Sequence, residues 1–315
     1  MSKNDRLHGA ELDEAFQAAH KKIKTFDIIS WTLSIIWFIT YWVSFYVFAL
    51  MERRGLETGN WSWVGLVVFI LGLVFVARQR KHLKKAKQLI SDNITRDALE
   101  EAFELIEYDS QKHIGGDLYW EAKPGFWAMS KGNDYIRAKY RGVEFMFSDV
   151  HFGADHAPDI LFVGQWLIVS LSKEIDPPIL ISEWKIPERW GLQNALIEYN
   201  IQYEDGDHIH VFWTNKGDEH RVRNVLTPRF VETIMPTYGH KHMCFTGNRF
   251  HFAIGTWGDL FEACKAMSDI SAARAMVQED VDSLKNLVEA IIDELLLNEH
   301  LFGEGHIISA EKSND

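Results

Sequence analysis

The sequence predicts an α+β protein: an N-terminal two-helix transmembrane hairpin, then a cytoplasmic mixed α/β domain with a largely antiparallel sheet and a long C-terminal helix. Three observations carry this. Two apolar runs, Phe26–Leu50 and Trp61–Ala77, stand ten residues apart near the start of the chain. From about Asp117 to Lys185 apolar residues recur with period two, as in half-buried strands. A stripe at helical spacing closes the chain. The expected organisation is a cytoplasmic amphipathic segment at 1–25, the hairpin at 26–77 (spans 26–50 and 61–77), a basic helical stalk at 78–94, the α+β domain at 95–300 and a polar tail at 301–315.

Glu11–Lys24 places Leu12, Phe16, Ala19 and Ile23 on one helical face. The first run has 25 residues with Asp27 as its single charge, and the second has 17 with none. A spanning helix needs about 20 apolar residues. Trp31, Trp42, Trp61 and Trp63 fall near the expected headgroup levels, where amphipathic rings settle. Lys and Arg flank the pair: Arg6, Lys21, Lys22 and Lys24 before it, and Arg78, Arg80, Lys81, Lys84, Lys85 and Lys87 after it. The rule that basic residues stay inside then expects a multi-pass inner-membrane protein with both termini cytoplasmic.

Beyond the hairpin, helix is expected to continue through Ile90. Thr95 is read as the cap of a helix reaching about Tyr108, and Gly115-Gly116 as its end. Strands follow at Tyr135–Tyr140, Gly142–Asp149, Leu161–Leu171, Ile179–Trp184, Leu196–Tyr203 and His208–Trp213. Thr227-Pro228 starts a helix, with Thr at the cap and Pro in the first turn, that closes at Pro236. Gly247-Asn248 reads as a type II′ turn joining Lys241–Thr246 to Arg249–Thr256. Helices at Asp259–Met267 and about Asp269–His300 end the fold.

Charge separates the two parts. Residues 1–87 hold 13 Lys and Arg against 7 Asp and Glu, whereas the remaining residues hold 20 against 38, within a net −12. An acidic domain argues against nucleic-acid binding, which needs basic patches to meet phosphate. Two cysteines, Cys244 and Cys264, provide no disulfide framework and fit a reducing compartment.

Four stretches point to a family. They are Asp134-Tyr135-Ile136 through Phe147-Ser148-Asp149, Phe162-Val163-Gly164 into Leu167–Leu171, Val211–Phe230, and Arg249–Glu262. In them the chain resembles the bacterial membrane proteins grouped as domain of unknown function 3137 (DUF3137), over about residues 100–297 and the preceding pair of spans. Leu226-Thr227-Pro228 is the most specific element. Trp166 and the His-rich strands at 208–210 and 240–251 depart from the family pattern. The resemblance implies architecture and membrane attachment. It brings no known reaction and no catalytic residues.

The residues themselves offer few sites. His240, His242 and Cys244 share one strand face. With a two-residue turn at Gly247-Asn248, Cys244 stands opposite His251, so His242, Cys244 and His251 form a candidate metal set of nitrogen and sulfur ligands. The spacing lacks the paired C-x-x-C of structural zinc sites, and ordinary sheet residues are the competing reading. His208 and His210, beside Asp205 and Asp207, are explained by a polar turn. Asp218-Glu219-His220 has no nucleophile partner, and Gly115-Gly116 lacks the rest of a phosphate loop. No catalytic residues and no cofactor are expected.

On the last helix Val277, Val281, Leu284, Val288, Ile291 and Leu295 follow at spacings of four, three, four, three and four. That is a heptad seam, open either to packing on the domain's own sheet or to a partner helix or self-association. The expected function is a membrane-anchored binding or scaffold module, with the lipid bilayer and a protein as partners. The alternative is a membrane-tethered enzyme or ligand or metal sensor using the face near His242, Cys244 and His251.

Overall fold

The structure, a computed structural model, describes residues 9–54, 70, 74, 88, 91–122, 130–154, 157–185, 193–203, 206–237, 239–256, 258–261 and 269–302. The chain divides into two compact units, Met1–Ile94 with Ala263–Met276, and Thr95–Glu262 with Val277–Asp315.

Helix α1 (Gly9–Arg53) makes up most of what is described in the first unit. The expectation of spans at 26–50 and 61–77, and with it of a multi-pass inner-membrane placement, is overturned. Among the described residues no helix is long and apolar enough to cross a membrane. The first run falls in the C-terminal half of α1, where Thr32, Ser34, Thr40, Tyr41 and Ser44 recur among the apolar side chains. The Thr32 and Thr40 hydroxyls donate to the carbonyls of Ile28 and Ile36, one turn back, each at 2.8 Å. Except for Ile70 and Val74, the second run lies outside the described residues, as does most of the 78–94 stalk.

A π-helical turn, Ser91–Thr95, leads into α2 (Arg96–Ala102). Thr95 is already helical and makes no capping bond. The helix expected to reach Tyr108 ends at Ala102. Phe103 turns extended, and β1 (Glu104–Asp109) follows as an edge strand. Its alternating Leu105, Glu107 and Asp109 suit a pleat as well as a helix, and pairing with a neighbouring strand decides between them. After Gly115 a short helix, α3 (Gly116–Ala122), appears where the sequence reading saw only a break.

The sheet has seven strands, paired antiparallel throughout. Strands β2 (Ser130–Tyr140), β3 (Val143–Ala154), β4 (Ala157–Ser182), β5 (Asn194–Tyr203) and β6 (Gly206–Asn215) stand in the order β1-β2-β3-β4-β6-β5. β7 (His240–Gly255) also pairs with β4. Two runs expected as separate strands, Leu161–Leu171 and Ile179–Trp184, are one bent strand. The first half of β4 pairs with β3, its end pairs with β6, and β7 borders both.

β7 corrects a second expectation. The chain does not reverse at Gly247-Asn248 but runs on as a single strand against β4. The left-handed signal was real, since Gly247 has φ +52. It sits instead where the pairing slips, and the surplus residues are β4's: nine steps from Ser170 to Ile179 face four from Arg249 to Phe245. Such an irregularity can change which side chains share a face.

Two layers cover the sheet. On one face Ile114, Tyr119, Val150, Trp166, Ile168, Leu180, Cys244 and Ala253 form a core closed by α3. On the other, Phe145, Phe147, Leu167, Val169, Phe245, Phe250 and Phe252 are buried. There the Phe250 ring meets Phe245 at 4.4 Å and Phe230 at 6.0 Å. Phe230 belongs to α5 (Pro228–Ile234), which follows α4 (Glu219–Val225). The Thr227-Pro228 start is as expected: the Thr227 hydroxyl accepts from Phe230 N–H at 3.2 Å.

The last helix, α6 (Ile270–Leu296), carries the heptad seam. All six seam residues are buried within the chain, and Ile292 and Leu296 widen the stripe beyond two positions per heptad. A broad stripe belongs to packing inside a fold. Arg229 to Glu294 at 2.7 Å, Arg141 to Asp293 at 3.2 Å, and the Asn298 amide on the Asn224 and Val225 carbonyls fasten it. The Asp259–Met267 helix is not formed over residues 259–261, and the rest of it lies outside the described residues.

Candidate functional site

The irregular pairing of β7 with β4 around Gly247 builds the site. On a regular strand, His242 and Cys244 would face away from His251. Across the irregular stretch around Gly247 the phase changes, so His242, Cys244, Arg249 and His251 all point toward α3. The three residues predicted as metal ligands are therefore brought to one buried face, by that change and not by a hairpin. Across β4, Ser182 pairs with His242, Leu180 with Cys244, and Ile168 with His251.

Each group has a defined surrounding. The His242 Nε2 lies 2.9 Å from the Ala122 carbonyl at the end of α3. A carbonyl only accepts, so this nitrogen carries the proton and Nδ1 is left as a bare acceptor. The ring stacks on Trp184 at 5.5 Å. Burial pushes the imidazole down to about 4, so His242 is neutral at physiological pH. His251 lies 5.8 Å from the Trp166 ring, and burial lowers it too, against the opposing pull of Glu121.

Glu121 is the hub. Arg249 Nη1 reaches both its carboxylate oxygens, at 2.8 and 2.9 Å. His251 Nε2 stands 3.6 Å from one of them, an electrostatic contact too long for a hydrogen bond. Together His251 and then Arg249 hold the Glu121 carboxyl below its usual range, against partial burial. Cys244 Sγ lies 3.9 Å from the Glu121 carbonyl. Among the described residues no group of three or more His, Cys, Asp or Glu is arranged to hold a metal ion. The interior instead joins one ion pair to two buried imidazoles, of which His242 is neutral, under an aromatic cover.

The other histidines and acidic residues disperse. His240 is exposed, 3.8 Å from Glu183, and His210 is half-buried on β6. Asp218 precedes α4 and pairs with Arg221 at 3.0 Å, while Gly116 opens α3.

A second cluster, on the opposite face, escaped the sequence reading. Asp149 follows Phe145 and Phe147 in the inward phase of β3 and is fully buried. Asp134, at φ +55, lies close by on β2, its carboxylate accepting from the Tyr108 hydroxyl at 2.9 Å and the Asn133 amide at 2.5 Å. The alternation Val143, Phe145, Phe147, Asp149 held the signal: it puts a carboxylate where apolar side chains go.

The profile of DUF3137, a protein family of unknown function, matches residues 160–297, from β4 to the start of the turn after α6. Residues 160–297 thus carry a DUF3137 match. The match holds the His242, Cys244, Arg249 and His251 face, while Glu121 and the Asp134–Asp149 pair lie before it. The crystal structure of the mycobacterial trehalose monomycolate transport factor A, TtfA, is similar at 11% identity and a TM-score of 0.29, over 63% of this chain and 94% of that one. No curated protein matches.

Proposed function

We propose that the second unit is a protein-binding module that takes an extended partner segment alongside β5. The observation that carries this is a margin of the sheet flanked by exposed apolar side chains. β5 ends the strand order, and among the described residues nothing pairs with its outer edge. The register sets Leu196 against Trp213, Glu198 against Val211 and Asn200 against Ile209. Leu196, Ile209 and Val211 therefore share one face beside that edge, 46%, 61% and 40% exposed. An unpaired edge flanked by exposed apolar side chains favours strand addition, where backbone bonds supply affinity and the side chains supply choice. The α6 seam is covered by the chain's own fold, which moves the expected partner surface from the helix to this hairpin.

The test is co-purification from the native host with and without Leu196→Ser, Ile209→Ser and Val211→Ser together, with thermal unfolding alongside. Loss of the same bound protein with an unchanged melting temperature supports the reading. Retention of that protein counts against it.

A second reading, a ligand or metal sensor, is favoured by one observation. His242 Nδ1 and both nitrogens of His251 are buried with no hydrogen-bond partner among the described residues. Zinc at one equivalent in the purified protein, lost on His251→Ala, would support it.

A further inference from the structure

Three side chains of the second unit seat the short segment that follows β7. Leu260 N–H donates to Asp149 Oδ2 at 2.8 Å, and Phe261 N–H donates to Asp280 Oδ2 at 2.7 Å. Asp259 Oδ1 meets His151 Nε2 at 2.8 Å. Phe261 has φ +59, a conformation L side chains rarely adopt, so these bonds hold the segment where its own preference would not.

The surroundings of Asp149 are acidic from every side. β2 brings Asp134, α6 brings Asp280, the seated segment brings Asp259, and His151 stands two residues along β3, bonded to Asp259. Tyr108 from β1 donates to Asp134. Among the described residues the second oxygen of Asp149 has no partner. A neutral carboxyl tolerates that far better than a charged one, because an unpaired buried charge is among the most costly groups a fold can hold.

We propose that Asp149 is a proton-dependent clasp on the Asp259–Phe261 segment: its neutral carboxyl keeps the segment seated on β3, and release of the segment lets water in and the proton out. Burial first, then Asp134 and Asp259, push the carboxyl up to about 9. Once open and hydrated, it returns toward the ordinary carboxylate value near 4. The closed state thus binds one more proton than the open state between those limits. Its advantage is complete below about 4, shrinks as pH rises, and is gone once pH passes about 9. Over the neutral range the opening constant rises about tenfold per pH unit.

Amide hydrogen exchange of the full chain between pH 5 and 10, corrected for intrinsic exchange, tests this at Leu260 and Phe261. The expected wild-type result is a unit slope of log opening constant against pH that levels near 9. Asp149→Asn keeps an oxygen for Leu260 N–H and no titrating charge, so its slope should be flat. Asp134→Asn, at a left-handed position that suits Asn, removes one repelling charge and should bring the levelling to lower pH. A flat wild-type profile, or a slope retained in Asp149→Asn, overturns the proposal. Should Asp149→Asn not fold, Asp134→Asn decides: an earlier plateau supports the clasp, and an unmoved one refutes it.

Discussion

At the scale of single residues, two carboxylate environments, one partly and one fully buried, pull in opposite directions. Glu121 is held low by His251 and Arg249, so its contribution to stability is present above the ordinary carboxylate value and is lost as pH falls through its folded value. Glu121→Gln should therefore lower stability at pH 7, by about 1 kcal/mol for a pair this open to water, and should flatten the acid limb of a pH-stability curve. Chemical denaturation at pH 3 to 7 checks both. Asp149 is held high and acts with the opposite sign. His242, Cys244 and His251 share a face as the sequence placed them, but through a change of side-chain phase along one strand and not through the expected hairpin. Glu121 was missed because it sits on a helix after two glycines, more than 120 residues away, and nothing local announces the approach.

Among the elements, β7 is the most informative. Gly247 has a left-handed φ, and a Cβ built there meets nothing within 4 Å. Gly247→Ala should thus cost only the conformational penalty, about 1–2 kcal/mol, with no added clash. A larger loss in a urea melt would mean that the irregular stretch itself gives way. On α6, Leu284→Ala removes a large side chain 1% exposed. It should cost ~2–5 kcal/mol in the same measurement without changing the mass in sedimentation, since the seam is internal. Strand positions were legible wherever one face alternates, as in β3, β5 and β6. The joins were not. Whether Gly-Asn reverses a strand or lets it run on depends on the partner strand, and β4 offers a continuous border that no local pattern reveals.

At the scale of the whole molecule, a hydropathy-based expectation failed and a topological one held. Run length alone overstated the membrane character of 26–50, whereas the antiparallel sheet and the long closing helix are as the alternation and the stripe implied. The second unit comprises Thr95–Glu262 and Val277–Asp315 and has a sheet covered on both faces. A fragment of residues 95–315 should therefore unfold in one cooperative step by calorimetry, with equal calorimetric and van't Hoff enthalpies. Two resolved transitions would show that the sheet and α6 are separate folding units.

The bent strand β4 has a consequence for how the chain is made. β3, already paired with β2, can pair with β4 as soon as it leaves the ribosome, for it comes first. Its other margin waits for β7: Ser182 meets His242 and Gln165 meets Ile254, partners 60 and 89 positions apart. At the usual pace of synthesis, ~5–20 residues per second, that margin stays uncovered for roughly 3–18 s. An apolar strand left open so long invites pairing with a neighbouring nascent chain, so the yield of this protein should depend on translation speed and chaperone supply more than on the stability of the finished fold.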